Sequence, residues 1–335
     1  MQKLVSLLNR VGLNGFFFCL LATVFLAWSF PEMGSTHSVL PLAQITQYGV
    51  SVIFFFYGLK LSPEKLLAGL KNWRLHVVIQ LTTFVLFPII AMVLLYFFGD
   101  RSNMLWLGFY YLAALPSTVS SSVVMVSIAG GNVAAAIFNA SISSIIGIFI
   151  TPLWMSAYSN PAAGDIGLTD VILKLCIQVL LPVVAGILLH GKLGRWTERY
   201  KNGLRNFDQV IILLIVFTAF SESFLGNMFD GFTGSELLLL SGAMLLFFMI
   251  VAGIMYLVSA SLRFTVDDRI TVIFCGSKKS LVQGAVMGKV LFPDPVTLGI
   301  ILLPLMLYHA LQLMAGSTLA QAMANNRKHK AIATN

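Results

Sequence analysis

Residues 274–284 read FCGSKKSLVQG, between ITVI on one side and AVMGKVLF on the other. Two adjacent lysines, Lys278 and Lys279, therefore sit inside a long apolar run. The chain around them is 58% hydrophobic and only 10% charged, with a mean hydropathy of +0.89. Soluble domains carry about a quarter charged residues, so this composition requires the bilayer as solvent. A helical span takes about 20 mostly apolar residues. Ten such segments are expected, at 12–31, 43–61, 75–98, 104–128, 132–158, 170–190, 207–228, 237–261, 269–291 and 296–322. The longest connections fall at 159–169 and 191–206, and no independent soluble domain fits between the spans.

Basic residues segregate by side. With the N-terminus placed inside, Lys3, Arg10, Lys60, Lys65, Lys71, Arg74, Lys192, Arg195, Arg199, Lys201, Arg205, Arg327, Lys328 and Lys330 share one side, with Glu64. Glu32, Asp100, Asp165, Asp230, Glu236 and Asp294 share the other, where Arg101 is the one basic residue. This is the positive-inside pattern. It predicts an even number of spans with both termini cytoplasmic, and it assigns the net charge of +8 to membrane orientation rather than nucleic acid. The first apolar segment is longer than a signal-peptide core and lacks a small-residue cleavage pattern, so a retained span is expected. Cys19, Cys176 and Cys275 share no metal-ligand spacing and read as packing residues.

Ten spans divide into five and five, at 1–158 and 159–335, and an odd number per half predicts halves of opposite orientation. The fourth span, LAALPSTVSSSVVMVSIAGG (112–131), and the ninth, VIFCGSKKSLVQGAVMGKVL (272–291), occupy equivalent places. Each is apolar, turns small and polar, and becomes apolar again. Pro116 cannot donate a backbone bond and breaks or kinks its helix. Ser117, Thr118, Ser120, Ser121 and Ser122 then offer hydroxyls to the freed groups. Irregular backbone at membrane depth is tolerated only inside protein or beside a watery cavity. Two interruptions in matching places point to a binding site where they cross.

Lys278 and Lys279 lie about ten residues inside the span that opens near Arg269, too deep to snorkel easily, and an intramembrane cation is a functional feature by default. Adjacent helical residues point about 100° apart. Either the helix is unwound here, or one lysine faces the site while the other finds a partner elsewhere. Ser277, Ser280 and Gln283 complete the polar stretch, and Asn139 and Ser143 share a face of the fifth span. Lys174 and Lys289 can reach an interface. Glu222 is either an intramembrane carboxylate or reaches the outer surface. His309, beside Tyr308, reads as a packing histidine. No paired aspartates or HExxH motif supports an intramembrane enzyme.

The run LPSTVSSSVVMVSIAGGNVAAAIFNASISSIIGIFITP (115–152) resembles the fourth-to-fifth helix region of the bile acid:sodium symporter family, with its proline-initiated break and GNVA helix start. YGLKLSPEKL (57–66) also resembles that family, and GSKKSLVQGAVMG is similar to its divergent YfeH-type and vertebrate member-seven-like branch. The resemblance covers nearly the whole chain. It implies an all-α fold of ten transmembrane helices in two inverted five-helix repeats, with broken fourth and ninth helices crossing. It further implies a panel domain of helices one, two, six and seven, a core domain of the other six, and alternating access about the crossing. Where sodium-coupled members place a Ser-Asn pair, this chain has Ser121 and Ser122. Where they place fifth-helix hydroxyls it has Ala136 and Ala140. Where they place a ninth-helix glutamate and glutamine it has Ser277 and Leu281, with Lys278 beside the former. The sodium candidates are thus Ser121, Ser122 and Ser277. The expectation is a secondary transporter of a small organic anion in a bacterial inner membrane, without cofactor, in which Na+ or a lysine-borne H+ is the coupling ion. The alternative is a non-transporting regulator or receptor on the same fold.

Overall fold

The computed structural model describes residues 15–36, 38, 40–60, 72–100, 103–158, 173, 176–227 and 233–333. Lys3, Arg10, Glu64, Lys65, Lys71, Arg101, Asp165, Lys174 and Asp230 lie outside the described residues, as does the connection expected at 159–169. The described residues are helical, without strands. In chain order the helices are α1 (Gly15–Ser29), α2 (Leu42–Lys60), α3 (Trp73–Phe98), α4 (Met104–Ala114), α5 (Ser120–Ala129), α6 (Val133–Tyr158), α7 (Ile177–Arg199), α8 (Lys201–Leu225), α9 (Gly234–Ser261), α10 (Val266–Gly276), α11 (Leu281–Leu291) and α12 (Pro295–Ala333). A single helical turn, Pro31–Gly34, joins α1 to α2. Seven of these helices are long and apolar enough to cross a membrane.

The fourth expected span is two helices, α4 and α5, and the ninth is also two, α10 and α11. Local chemistry dictates both interruptions. Leu115 is extended (φ −73°, ψ 153°), as a residue before proline prefers, and Pro116 has no N–H to continue the ladder. At the second break Ser280 is extended, and its hydroxyl accepts from the Gln283 N–H at 3.2 Å, an N-cap that restarts the helix as α11. At the far end of α5, Gly130 takes the left-handed conformation (φ 75°) that closes a helix, and the Gly131 N–H returns to the Val126 carbonyl at 2.8 Å.

Two prolines free carbonyls that side chains then occupy. Pro88 in α3 cannot donate to the carbonyl four residues back, Phe84, which instead accepts from the Trp154 indole at 2.7 Å. Pro182 likewise frees Gln178, whose carbonyl accepts from Ser51 at 3.2 Å. A π-helical turn precedes each proline, at Thr82–Leu86 and Cys176–Leu180. The first of these turns matters for the site.

The expected connection at 191–206 is almost wholly helical: α7 runs to Arg199 and α8 begins at Lys201, leaving Tyr200 between them. The charges there mark where the helices leave the apolar layer, not where they end. Water solvates Lys192, Arg195 and Arg205 on a helix as well as on a loop, and no proline interrupts this stretch. For the same reason α12 outruns its expected span and carries Arg327, Lys328 and Lys330.

α2 packs on α7, and α8 packs on α12 as well as on α1 and α2. We refer to α1, α2, α7 and α8 as one helix group and to α3, α4, α5, α6, α9, α10, α11 and α12 as the other; the two are joined chiefly where α8 lies along α12 and α11. Glycines permit the closest approaches. A Cβ on Gly58 would stand 2.1 Å from the Val183 carbonyl oxygen, and one on Gly186 2.2 Å from that of Phe55. Across the two groups, a Cβ on Gly299 would stand 2.8 Å from the Ala219 carbonyl oxygen. At one end of the bundle Asp268 accepts from Asn72 (2.8 Å) and Asn132 (3.0 Å), tying the starts of α3, α6 and α10 together.

Gly58→Leu should therefore destabilise the α2–α7 pair by about 1–3 kcal/mol, the usual cost of overpacking. A fall in melting temperature of the detergent-purified protein is the expected result, against an unchanged value for Gly15→Ala, where a Cβ meets nothing within 4 Å.

Candidate functional site

Each helix break leaves backbone groups without partners, and in an apolar interior each orphan costs about 1–3 kcal/mol. The two breaks satisfy one another. The Ser280 N–H donates to the Pro116 carbonyl at 3.0 Å. Ser117 donates its hydroxyl to the Cys275 carbonyl at 2.7 Å and its N–H to the Ser143 hydroxyl at 3.0 Å. Ser122 donates to the Phe274 carbonyl at 3.2 Å. The Ser277 hydroxyl turns back on the Ile273 carbonyl at 2.6 Å, and the Ser277 carbonyl accepts from Tyr308 at 2.6 Å. Gln312 of α12 brackets the peptide at the break: its side-chain oxygen accepts from the Lys279 N–H at 2.9 Å, and its amide donates to the Lys279 carbonyl at 2.7 Å.

Because Ser277–Ser280 is not helical, the two lysines diverge, and both are fully buried. Lys279 points to α3 and α4. Its Nζ donates to three carbonyl oxygens, those of Thr83, Ala113 and Leu115, each at 2.7 Å. Three acceptors at this distance match the three N–H donors of an ammonium. Two of those carbonyls belong to the end of α4, where the helix dipole favours a cation. The third is freed by the π-helical turn. The Phe87 ring lies 4.1 Å from Nζ, a cation–π contact worth about 2 kcal/mol in a desolvated place. Lys278 has much less. Its one hydrogen bond runs 3.5 Å to the Ser121 carbonyl, and its Nζ lies beside Gly316, whose lack of a Cβ makes room. The Phe274 ring is 5.8 Å away.

Beside the break is a cavity of about 150 Å³, lined by Phe54, Tyr57 and Lys60 of α2, Val183 of α7, Val119, five α6 residues and Gln283 of α11. It therefore lies between the two helix groups. Gln283 is 2% exposed, and neither atom of its side-chain amide has a hydrogen-bond partner among the described residues. The hydroxyls of Ser141 and Ser144 on its wall donate within α6, to the Ile137 and Ala140 carbonyls, and keep lone pairs free to accept. Lys60 stands at its edge, 3.3 Å from Asp208.

Of the residues expected from sequence, Pro116, Ser117, Ser122, Ser143, Ser277, Lys278, Lys279 and Ser280 are drawn together at the breaks. Thr118 is buried beside them, and the Ser120 side chain lies outside the described residues. Asn139 is drawn elsewhere: its amide reaches His76 (2.7 Å) and the Ala135 carbonyl (2.9 Å), and Gln80 donates to it at 3.3 Å. Of the three sodium candidates, Ser122 and Ser277 donate their hydroxyls to carbonyls, and the Ser121 hydroxyl is buried without a partner among the described residues. His309 accepts or donates in a 3.0 Å contact with Gln312, as a packing histidine does. Glu222 accepts from the Thr36 N–H. Sequence reading treated Lys60 as an orientation charge and passed over Asp208, Tyr57 and Gln312. A lone carboxylate at Asp208, on the basic side and at the foot of an apolar helix, was the available signal.

Seven helices long and apolar enough to cross a membrane, with paired breaks and two buried lysines at their meeting point, mark a polytopic membrane protein, and its sequence family is one of transporters. The chain belongs to the SBF-like CPA transporter family, whose sequence model matches residues 14–325. It is 39% identical over 322 residues to the "Uncharacterized protein PA2026" of Pseudomonas aeruginosa, covering 96% of each chain. It is 39% identical over 311 residues to the "Putative symporter YfeH" of Escherichia coli, covering 92% of each. It is 30% identical over 322 residues to the "Sodium/bile acid cotransporter 7" of Xenopus tropicalis, covering 94% of this chain and 93% of that one.

Gln312→Leu keeps the volume of α12 but orphans the N–H and carbonyl of Lys279. A loss of about 1–3 kcal/mol for each group is expected, read as a lower melting temperature. Gln312→Glu, which retains the acceptor alone, should recover part of it.

Proposed function

We propose that this protein is a secondary transporter that carries a small organic anion through the membrane by alternating access. The observation that carries the reading is the cavity between the two helix groups, with the unpartnered Gln283 amide on its wall. A buried amide without partners costs stability and persists where something else meets it. Its neighbours suit an anion with an apolar body: Lys60 at the edge, the N-terminal end of α11, and a wall of Phe54, Ile137, Ile145, Ile148 and Val183. Lys278, held by one long bond, is the cation free to answer a solute's charge.

In this reading α1, α2, α7 and α8 form the panel and the remaining helices form the core. The two halves of the chain are inverted five-helix repeats, and both termini face the cytoplasm. The cavity lies on the seam along which panel and core would move. Coupling falls to a proton or to the solute's own gradient in this reading, since Ser277 stands where sodium-coupled members of the family place a carboxylate, with Lys278 beside it.

Uptake of radiolabelled carboxylates by proteoliposomes, with Na+ and pH gradients imposed separately, tests this. Uptake without Na+ is expected, reduced roughly tenfold by Gln283→Leu, the loss of one or two hydrogen bonds to a charged group, and strongly reduced by Lys278→Ala. Strictly Na+-driven uptake, or normal uptake in both variants, would overturn it. Absence of both uptake and ligand-induced thermal shift would favour the receptor alternative.

A further inference from the structure

We propose that the carbonyl oxygens of Thr83, Ala113 and Leu115, roofed by the Phe87 ring, are a binding site for an ammonium-type monovalent cation, and that Lys279 is its tethered occupant. The site is built from the backbone of α3 and α4, not from Lys279 itself. The Thr83 carbonyl is freed by the π-helical turn before Pro88. The Ala113 and Leu115 carbonyls are freed by the end of α4 at Pro116. Each is 2.7 Å from Nζ, within the range of a charge-assisted N–H···O bond. The fourth bond of Nζ is to its own Cε, and an aromatic face lies 4.1 Å from the nitrogen. Three oxygens match the three N–H bonds of an alkylammonium, and the ring face favours its charge.

The inference goes beyond the transport reading, because the carbonyls need a cation whether or not a solute moves. It gives the two neighbouring lysines separate work. Lys279 supplies a charge that never leaves and stabilises the end of α4. Lys278 is not part of this site: it bonds the Ser121 carbonyl on the opposite side of the break.

Lys279→Ala empties the site and leaves its three oxygens. The melting temperature of this variant in detergent is compared in ammonium, ethylammonium, sodium and choline chlorides at equal concentration. The variant should melt well below the native chain. Ammonium and ethylammonium should raise it by a few degrees, and sodium and choline should not. Lys279→Met, which fills the space without charge, should melt low and gain nothing from ammonium. Lys278→Ala should show no ammonium-specific shift. Equal rescue by sodium, or no rescue of a folded Lys279→Ala, overturns the proposal. If Lys279→Ala does not fold in any of these salts, the native chain decides. Its melting temperature should be the same in sodium and choline chloride, and a sodium-specific rise would show an open cation site at the breaks and overturn the proposal. The readout is thermal, so it stands apart from any result on uptake.

Discussion

Two helices stop in the middle of an apolar bundle, and the backbone groups they expose there have no water to turn to. That constraint organises the centre of the molecule. Pro116 ends one helical run and the Ser277–Ser280 stretch ends another, and each break places donors against the other's acceptors. The bonds are individually worth about 1 kcal/mol net, but leaving one unmade costs as much or more. Neither break is stable without its partner, so the two interruptions specify each other's position across more than 150 residues of chain.

The lysines follow from the same constraint. Helix ends carry partial charge, negative where carbonyls are exposed. The end of α4 is buried, and an ammonium on three of the nearby oxygens is an effective neutraliser. Desolvating a lone cation is costly, which is why Lys279 takes every acceptor within reach and an aromatic face besides. Its neighbour has one long bond and a glycine-sized space at Gly316. Two identical residues, one peptide apart, thus end in a saturated place and a sparse one. The difference arises because the backbone between them is unwound.

The periphery of the site shows a different balance. The Gln283 side-chain amide has no partner among the described residues, although the residue is almost wholly buried. It borders a cavity on the seam between the two helix groups, and that seam is closed elsewhere by glycine contacts such as Gly299 against Ala219. The Lys60–Asp208 pair at the cavity edge is partly exposed and adds little stability, so it can exchange partners cheaply.

Much of this was legible in the sequence. Composition required a bilayer, and Pro116, the serine run after it and the lysine pair marked both breaks, because proline geometry and intramembrane charge are local properties. The family was legible in the 115–152 run. What the sequence could not decide was where side chains point. Asn139 and Ser143 share a helix face, yet Ser143 serves the break while Asn139 turns to His76 and Gln80, since the helix packed against each differs. Charges at Lys192–Arg205 read as a loop because charge reports contact with water, which a helix protruding from the membrane also has. The role of Lys279 was out of reach for the deepest reason. Its three acceptors are backbone carbonyls of Thr83, Ala113 and Leu115, groups that every residue carries and that only the packing of α3, α4 and α10–α11 brings together.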